Sequence, residues 1–162
     1  MAIDPREYRA TMGLFATGVT VITAGDGDQI RGMTANSLTS VSLDPLLLLV
    51  CVDRRARMAP VISTATHFAV NILRSDQEAI ARHFAGQPHP EVVIPLTEMA
   101  GAPVLSDSLA TLVCQRDQIL DGGDHLIVLG RVIALRRAAD GDPLLYFGGA
   151  YRHLAELSSS LV

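Results

Sequence analysis

Residues 34–42, TANSLTSVS, place five hydroxyls and one amide in nine positions between two strongly apolar stretches. Hydroxyl and backbone N–H groups gathered in a turn bind a phosphate or a polyol without help from a lysine. The same composition also describes an ordinary solvated loop, whose Ser and Thr satisfy their own backbone. His125 opens a strand directly after a tight DGGD turn, where a histidine taken singly is a surface residue. Phe84 and Gly86 read as a helix end, with the ring in the core and the glycine as terminator.

Counting removes much other chemistry. All thirteen basic side chains are Arg, so a phosphate-loop lysine, a Schiff-base lysine and a lysine general base are all excluded. Cys51 and Cys114 each sit in an apolar segment and read as small core residues, not as a disulfide or a metal clip. His83, His89 and Glu91 match no metal-ligand spacing, and prolines interrupt them, so no metal is expected. Neither a nucleophile elbow nor a dinucleotide glycine fingerprint occurs. With a net charge of -4 and basic residues scattered apart from Arg54, Arg55, Arg57 and the pair Arg136 and Arg137, nucleic acid is not an expected partner. The longest apolar run, residues 46–52, is seven long against the roughly 18 that a spanning helix needs, so no membrane segment is expected. The opening MAIDPREYRA lacks the pattern of a secretory signal, which points to the cytoplasm.

The elements that must position these groups are mostly strands. Asp4, Pro5 and Glu7 have the spacing of a helix start, with Tyr8, Met12 and Phe15 on one face. β-Branched alternation from Thr17 predicts a strand, and the GDGD turn at 25–28 returns it as a hairpin through 30–35. The run at 46–52 predicts a strand buried on both faces. A short helix at 56–63, a strand at 67–73 and a helix from Ser75 with Glu78 in the capping-box position follow. The proline-rich stretch 85–103 reads as an irregular packed excursion within one domain spanning 1–162. Strands at 109–120, 125–138 and 144–148, separated by DGGD and ADGDP turns, read as an antiparallel meander. Strands dominate and no parallel strand-helix-strand alternation appears, which favours a small closed or split β-barrel.

Five motifs occur in a fixed order: FATGVTVIT, then GMTANSLTSVSLDP with LLLLVCVDRRA, HFAG, GDH, and LLYFGGAYRHL. Together they resemble the flavin reductase-like family over about residues 5–154, and more narrowly the NAD(P)H-dependent flavin reductases that serve two-component monooxygenases. The resemblance implies a mainly β, antiparallel split barrel of Greek-key type with a few short helices, working as a homodimer with one flavin site per subunit. It implies FAD or FMN and NADH or NADPH as cofactors, and a flavin-dependent monooxygenase as the partner that receives reduced flavin. By similarity, Thr34, Ala35, Asn36 and Ser37 lie along the isoalloxazine, while Ser40, Val41 and Ser42 hold the ribityl chain and phosphate. Cys51 and Val52 line the ring pocket. Arg54 and Arg57 resemble positions near the phosphate or adenylate, where a guanidinium is a sensible counter-ion. Arg55 departs from the small residue expected there. Phe84, Ala85 and Gly86 match the turn that contacts the ring, and His125 and Tyr151 match the residues bordering the nicotinamide, His125 as the catalytic one. Competing readings are a split-barrel flavin- or haem-binding module without reductase activity, a pyridoxamine phosphate oxidase-like protein, against which the missing lysine and the GDH triplet count, and a purely structural dimerisation barrel.

Overall fold

The computed structural model describes residues 2–155. Helix α1 (Pro5–Met12) starts where expected, with the Asp4 carboxylate accepting from the Arg6 N–H at 2.9 Å. Strands β1 (Thr17–Gly18), β2 (Thr20–Ala24), β3 (Arg31–Ala35), β4 (Thr39–Leu43) and β5 (Leu46–Asp53) lead to helix α2 (Met58–Thr64) and β6 (His67–Ile72). A 3-10 turn at Ser75–Gln77 runs into helix α3 (Glu78–Phe84). The hairpin of β7 (Leu96–Met99) and β8 (Ala102–Leu105), the long strands β9 (Ala110–Gly122) and β10 (His125–Arg137), and the pair β11 (Leu145–Phe147) and β12 (Ala150–Arg152) complete the chain.

Seven strands form one antiparallel sheet in the order β3-β2-β6-β9-β10-β5-β4. β3 and β4 are consecutive in the chain yet stand at opposite edges of this sheet. In a flat sheet six strand spacings would separate them by about 29 Å. The four Cα steps from Ala35 to Thr39 span at most about 14 Å. The sheet must therefore curl until its two edges approach, leaving a split between β3 and β4 that only the connector 36–38 crosses. This is the split barrel.

Inside the curl, Ile22, Val50, Val52, Phe68, Val70 and Val128 are fully buried. Gly130 belongs to this packing. A Cβ there would lie 2.5 Å from the Phe68 ring and 2.6 Å from Cys114, so any larger residue collides with the core. Asn71, also fully buried, donates to the Val21 carbonyl and to the Thr23 hydroxyl, and accepts from the Leu105 N–H at 2.9 Å. That network ties β8 across β2 and β6, and each buried polar atom in it has a partner, as burial demands.

Several expectations are corrected. The strand at 46–53 is not buried on both faces: Leu48, Val50 and Val52 are sealed, while Leu47, Leu49 and Cys51 are half-buried, because β5 has the core on one side only. The hydroxyl-rich segment is no continuous loop, since Thr34 and Ala35 end β3 and Thr39–Leu43 is the edge strand β4. The excursion after Phe84 contains the β7–β8 hairpin, whose Ala102, Val104 and Leu105 are core residues. The strand after the ADGDP turn leaves the meander to pair with β1 and β12 in a separate three-stranded sheet. The reach-back contact before α3 comes from Gln77, whose side chain accepts from the Arg74 N–H at 2.8 Å, while Glu78 pairs with Arg82. The expected apolar face of α1 covers no core, with Tyr8, Met12 and Phe15 all exposed.

Candidate functional site

At the split, Thr34, Ala35 and Asn36 form one wall of a cleft of about 200 Å³, and Val19, Ala85, Tyr146 and Tyr151 form the other. Three local features build that second wall. Gly148 and Gly149, both at positive φ, make a tight two-residue turn that sets Tyr151 directly opposite Tyr146. The two rings meet edge to face at 5.3 Å. Arg82, held by Glu78 one helical turn away, stands 5.0 Å over the Tyr151 ring, and partial burial raises the Tyr151 hydroxyl above its ordinary pKa. Thr34 donates its hydroxyl to the Ala81 carbonyl at 2.6 Å, which fastens β3 to α3. Phe84 lies against Gly32, where a Cβ would come within 2.3 Å of its ring. Past it, Ala85 and Gly86 are exposed, and Gly86 has φ +86 with open space around it.

The connector leads from this cleft to the outward face of β5. Ser37 accepts from the Cys51 N–H at 3.0 Å and faces the Cys51 carbonyl at 3.3 Å, filling a gap left in the sheet ladder. Cys51, Asp53, Ile127 and His125 share that face, because Cys51 pairs with Ile127 and Asp53 with His125 across β5 and β10. His125 Nδ1 lies 2.7 Å from the Asp124 carboxylate, and this contact lowers the Asp124 pKa. The Arg55 guanidinium and N–H hold the Asp53 carboxyl down at about 2. Arg54 turns away from the cleft and pairs with Asp121 in the turn before His125.

The remaining predicted residues fall elsewhere. Ser40 and Ser42 border a separate hollow of about 310 Å³ whose other lining side chains are all aliphatic, Leu43, Leu46 and Leu135 among them. Val41 between them is an exposed bulge residue on the β4 edge. The Val52 side chain is sealed in the core and lines no cleft, contrary to its expected place in the ring pocket. Arg57 is exposed and has no ion-pair partner among the described residues.

Asp53, Arg82, Asp121, Asp124 and Tyr146 join the site without having been singled out. A Gly-Gly pair flanked by alternating apolar residues is a hairpin signal that points to Tyr146. The pairing of Arg54 with Asp121, separated by 67 positions, has no local signature.

A flat, neutral ring fits the cleft. No charged side chain lines it, and Gly86 permits close backbone approach. Its volume is below the roughly 300–1,000 Å³ of pockets that engulf a whole ligand, so it acts as a wall open to solvent. Larger hollows of about 570 and 670 Å³ lie elsewhere, and none of the predicted site residues lines them. Among the described residues, no helix is long and apolar enough to cross a membrane.

Comparison with known proteins gives a consistent answer. An NADH-dependent FAD reductase of Streptomyces globisporus is 42% identical over 163 residues, covering 94% of this chain and 89% of that protein. The reductase component of 4-hydroxyphenylacetate 3-monooxygenase from Thermus thermophilus is 40% identical over 147 residues, covering 91% of this chain and 95% of that protein. Among solved structures, the flavin reductase PheA2 superposes with a TM-score of 0.90 at 42% identity, covering 95% of this chain and all of the other. The profile of the flavin reductase like domain matches residues 12–155, which takes in both walls of the cleft, the Arg54 segment and the His125 turn. With the barrel and the motifs in place over that length, the chain belongs to the flavin reductase-like family.

Proposed function

We infer that the protein is an NAD(P)H-dependent flavin reductase that supplies reduced FAD or FMN to a partner monooxygenase. The observation that carries this reading is the uncharged, solvent-open cleft beside the outward strand face that presents His125. When bound, the cofactors supply the chemistry, hydride passing from C4 of the reduced nicotinamide to N5 of the flavin. The chain contributes position, since stacking two rings at roughly 3–3.5 Å is where proximity accelerates such a step.

Thr34, Ala35, Asn36 and Ser37 offer backbone and amide groups along the flavin ring, the Thr34 hydroxyl being already engaged with α3. Phe84 sets the turn from which Ala85 and Gly86 reach the ring. Cys51 stands on the same face, with Val52 packed behind it. Ser40, Val41 and Ser42 are assigned to the ribityl chain and phosphate by family resemblance, although the hollow that Ser40 and Ser42 border is otherwise aliphatic, and Arg57, past the far end of β5, is assigned to the phosphate or adenylate in the same way. His125 and Tyr151 border the nicotinamide.

A homodimer accounts for the exposed apolar residues Val41, Leu43, Leu46, Ile133 and Leu135, which lie on β4, β5 and β10 at the end away from His125 and which a second copy covers. The whole chain, 1–162, then acts as one reductase domain, in the cytoplasm where reduced nicotinamide is made.

The test is loss of nicotinamide absorbance with NADH or NADPH and added FAD or FMN. Flavin-dependent consumption of NADH is expected. Flavin binding with no consumption would select a non-reductase binding module instead. His125→Ala should raise the nicotinamide KM about tenfold, equivalent to about 1.4 kcal/mol, with flavin affinity changed far less. An unchanged KM would remove His125 from the nicotinamide site.

A further inference from the structure

We propose that Arg54 is a positioning residue, which clamps the turn at 121–124 and so holds the imidazole of His125, and is not a counter-ion for the flavin phosphate. The proposal rests on the reading of His125 given above.

Three donors of Arg54 converge on that one turn. Its backbone N–H donates to the Asp124 carbonyl at 3.0 Å, Nε donates to the Gly123 carbonyl at 2.8 Å, and Nη2 pairs with the Asp121 carboxylate. A planar guanidinium suits this fork of acceptors in a way an ammonium does not. The hairpin tip projects into solvent, residues 121–124 all being exposed with open space where a Cβ of Gly123, at φ +75, would point, while Asp121 and Gly122 are ladder-paired with Leu126 and His125. Apart from the contact between His125 and Asp124, no other side-chain hydrogen bond among the described residues reaches the turn.

The orientation passes directly to the histidine. Asp124, whose carbonyl Arg54 fixes, receives His125 Nδ1 on its carboxylate, which leaves Nε2 as the ring nitrogen free for a ligand. Asp53, the carboxylate directly across the ladder from His125, is kept occupied by Arg55 through its N–H, Nε and Nη2. The two neighbouring arginines thus have separate tasks around one imidazole: Arg54 holds the turn and Arg55 neutralises the competing acceptor. Of the three arginines in the segment, Arg57 is the one without an ion-pair partner among the described residues.

The experiment compares Arg54→Lys, Asp121→Asn and the double variant, with FMN and with riboflavin, which lacks the phosphate, as acceptors. Lysine keeps the charge that a phosphate would feel and loses the fork. Each single variant should raise the NADH KM by about three- to tenfold, and the double variant should be no worse than the more impaired single one. The ratio of FMN to riboflavin kcat/KM should stay within about twofold of the parent. Imidazole ¹⁵N resonances of His125 should shift in both single variants, a signature that loss of phosphate binding would not produce. The proposal is overturned if Arg54→Lys and Asp121→Asn leave the NADH KM and the His125 resonances as in the parent, or if Arg54→Lys depresses FMN selectively over riboflavin. Should His125→Ala leave the NADH KM unchanged while these resonances still move, the clamp stands and the assignment of His125 to the nicotinamide falls.

Discussion

Along β5, Leu48, Val50 and Val52 turn inward and are all but sealed, whereas Leu47, Leu49 and Cys51, each one residue away, stay half-exposed. The same parity runs along β10 as far as Val132, with Val128 and Gly130 facing the core and Arg131 facing out, until a bulge before Ala134 shifts the register and turns Ala134 toward the β8 cluster on the other side. One apolar run therefore serves two purposes, and the two-residue period of a strand keeps them apart. The inward set is bound to the fold by close packing, to the point that Gly130 admits no Cβ. The outward set carries Cys51, Asp53 and His125 at one end of the strands, and the exposed apolar residues Leu43, Leu46 and Leu135 gather around a hollow at the other. Changes to the inner face should register in stability, and changes to the outer face in association and kinetics.

The largest effect that tests this division is Phe68→Ala. Phe68 is fully buried against Gly130, and its removal should cost about 3–5 kcal/mol in urea unfolding. A loss below about 1 kcal/mol would mean that the interior is far looser than its packing indicates. Next in size, Leu135→Asp puts a charge on the exposed apolar face. Sedimentation velocity should show the mass halved relative to the parent, with the unfolding midpoint of the monomer nearly unchanged. If this variant unfolds as readily as Phe68→Ala, the rim of the hollow at Leu135 is part of the core after all.

The smallest effect concerns Asp53 at the outer, polar end. Arg55 holds its folded-state pKa at about 2, below the ordinary carboxylate value, so the ionised form is the one that the fold favours. Its contribution is present in full above about pH 4, the unfolded value, and is lost as pH falls through about 2. Asp53→Asn should flatten this part of the acid limb when urea midpoints are compared stepwise across that range. Because Arg55 is solvent-exposed and Asp53 half-exposed, the difference at neutral pH should be slight.

Legibility followed locality. The GDGD and DGGD turns with their flanking alternation marked two hairpins that form as expected, and the helix start at Asp4 and Pro5 needed only neighbouring residues. Thr39–Leu43 was misread because an edge strand with water on most of its surface carries polar residues, and hydroxyls there look like those of a loop. Most of the cleft's first wall, at Thr34, Ala35 and Asn36, was visible through motif resemblance. Its second wall was only partly so, since Tyr146 enters by pairing with Tyr151 and Val19 by the curl of the sheet. The arginine segment could be located from sequence, but the task of each arginine could not.

The order of residues by itself determined the turns, the absence of any lysine chemistry and the set of motifs that marks the family. These depend on neighbours within a few positions, where backbone geometry and side-chain alternation act directly. Tertiary structure decided which edges meet at the split, that Ser40 and Ser42 open on an aliphatic hollow, and that Arg54 is engaged while Arg57 has no ion-pair partner among the described residues. The physical reason is the reach of the forces: an ion pair or a hydrogen bond selects its partner by distance in space, and Arg54 meets Asp121 only after the sheet has brought β5 beside β10.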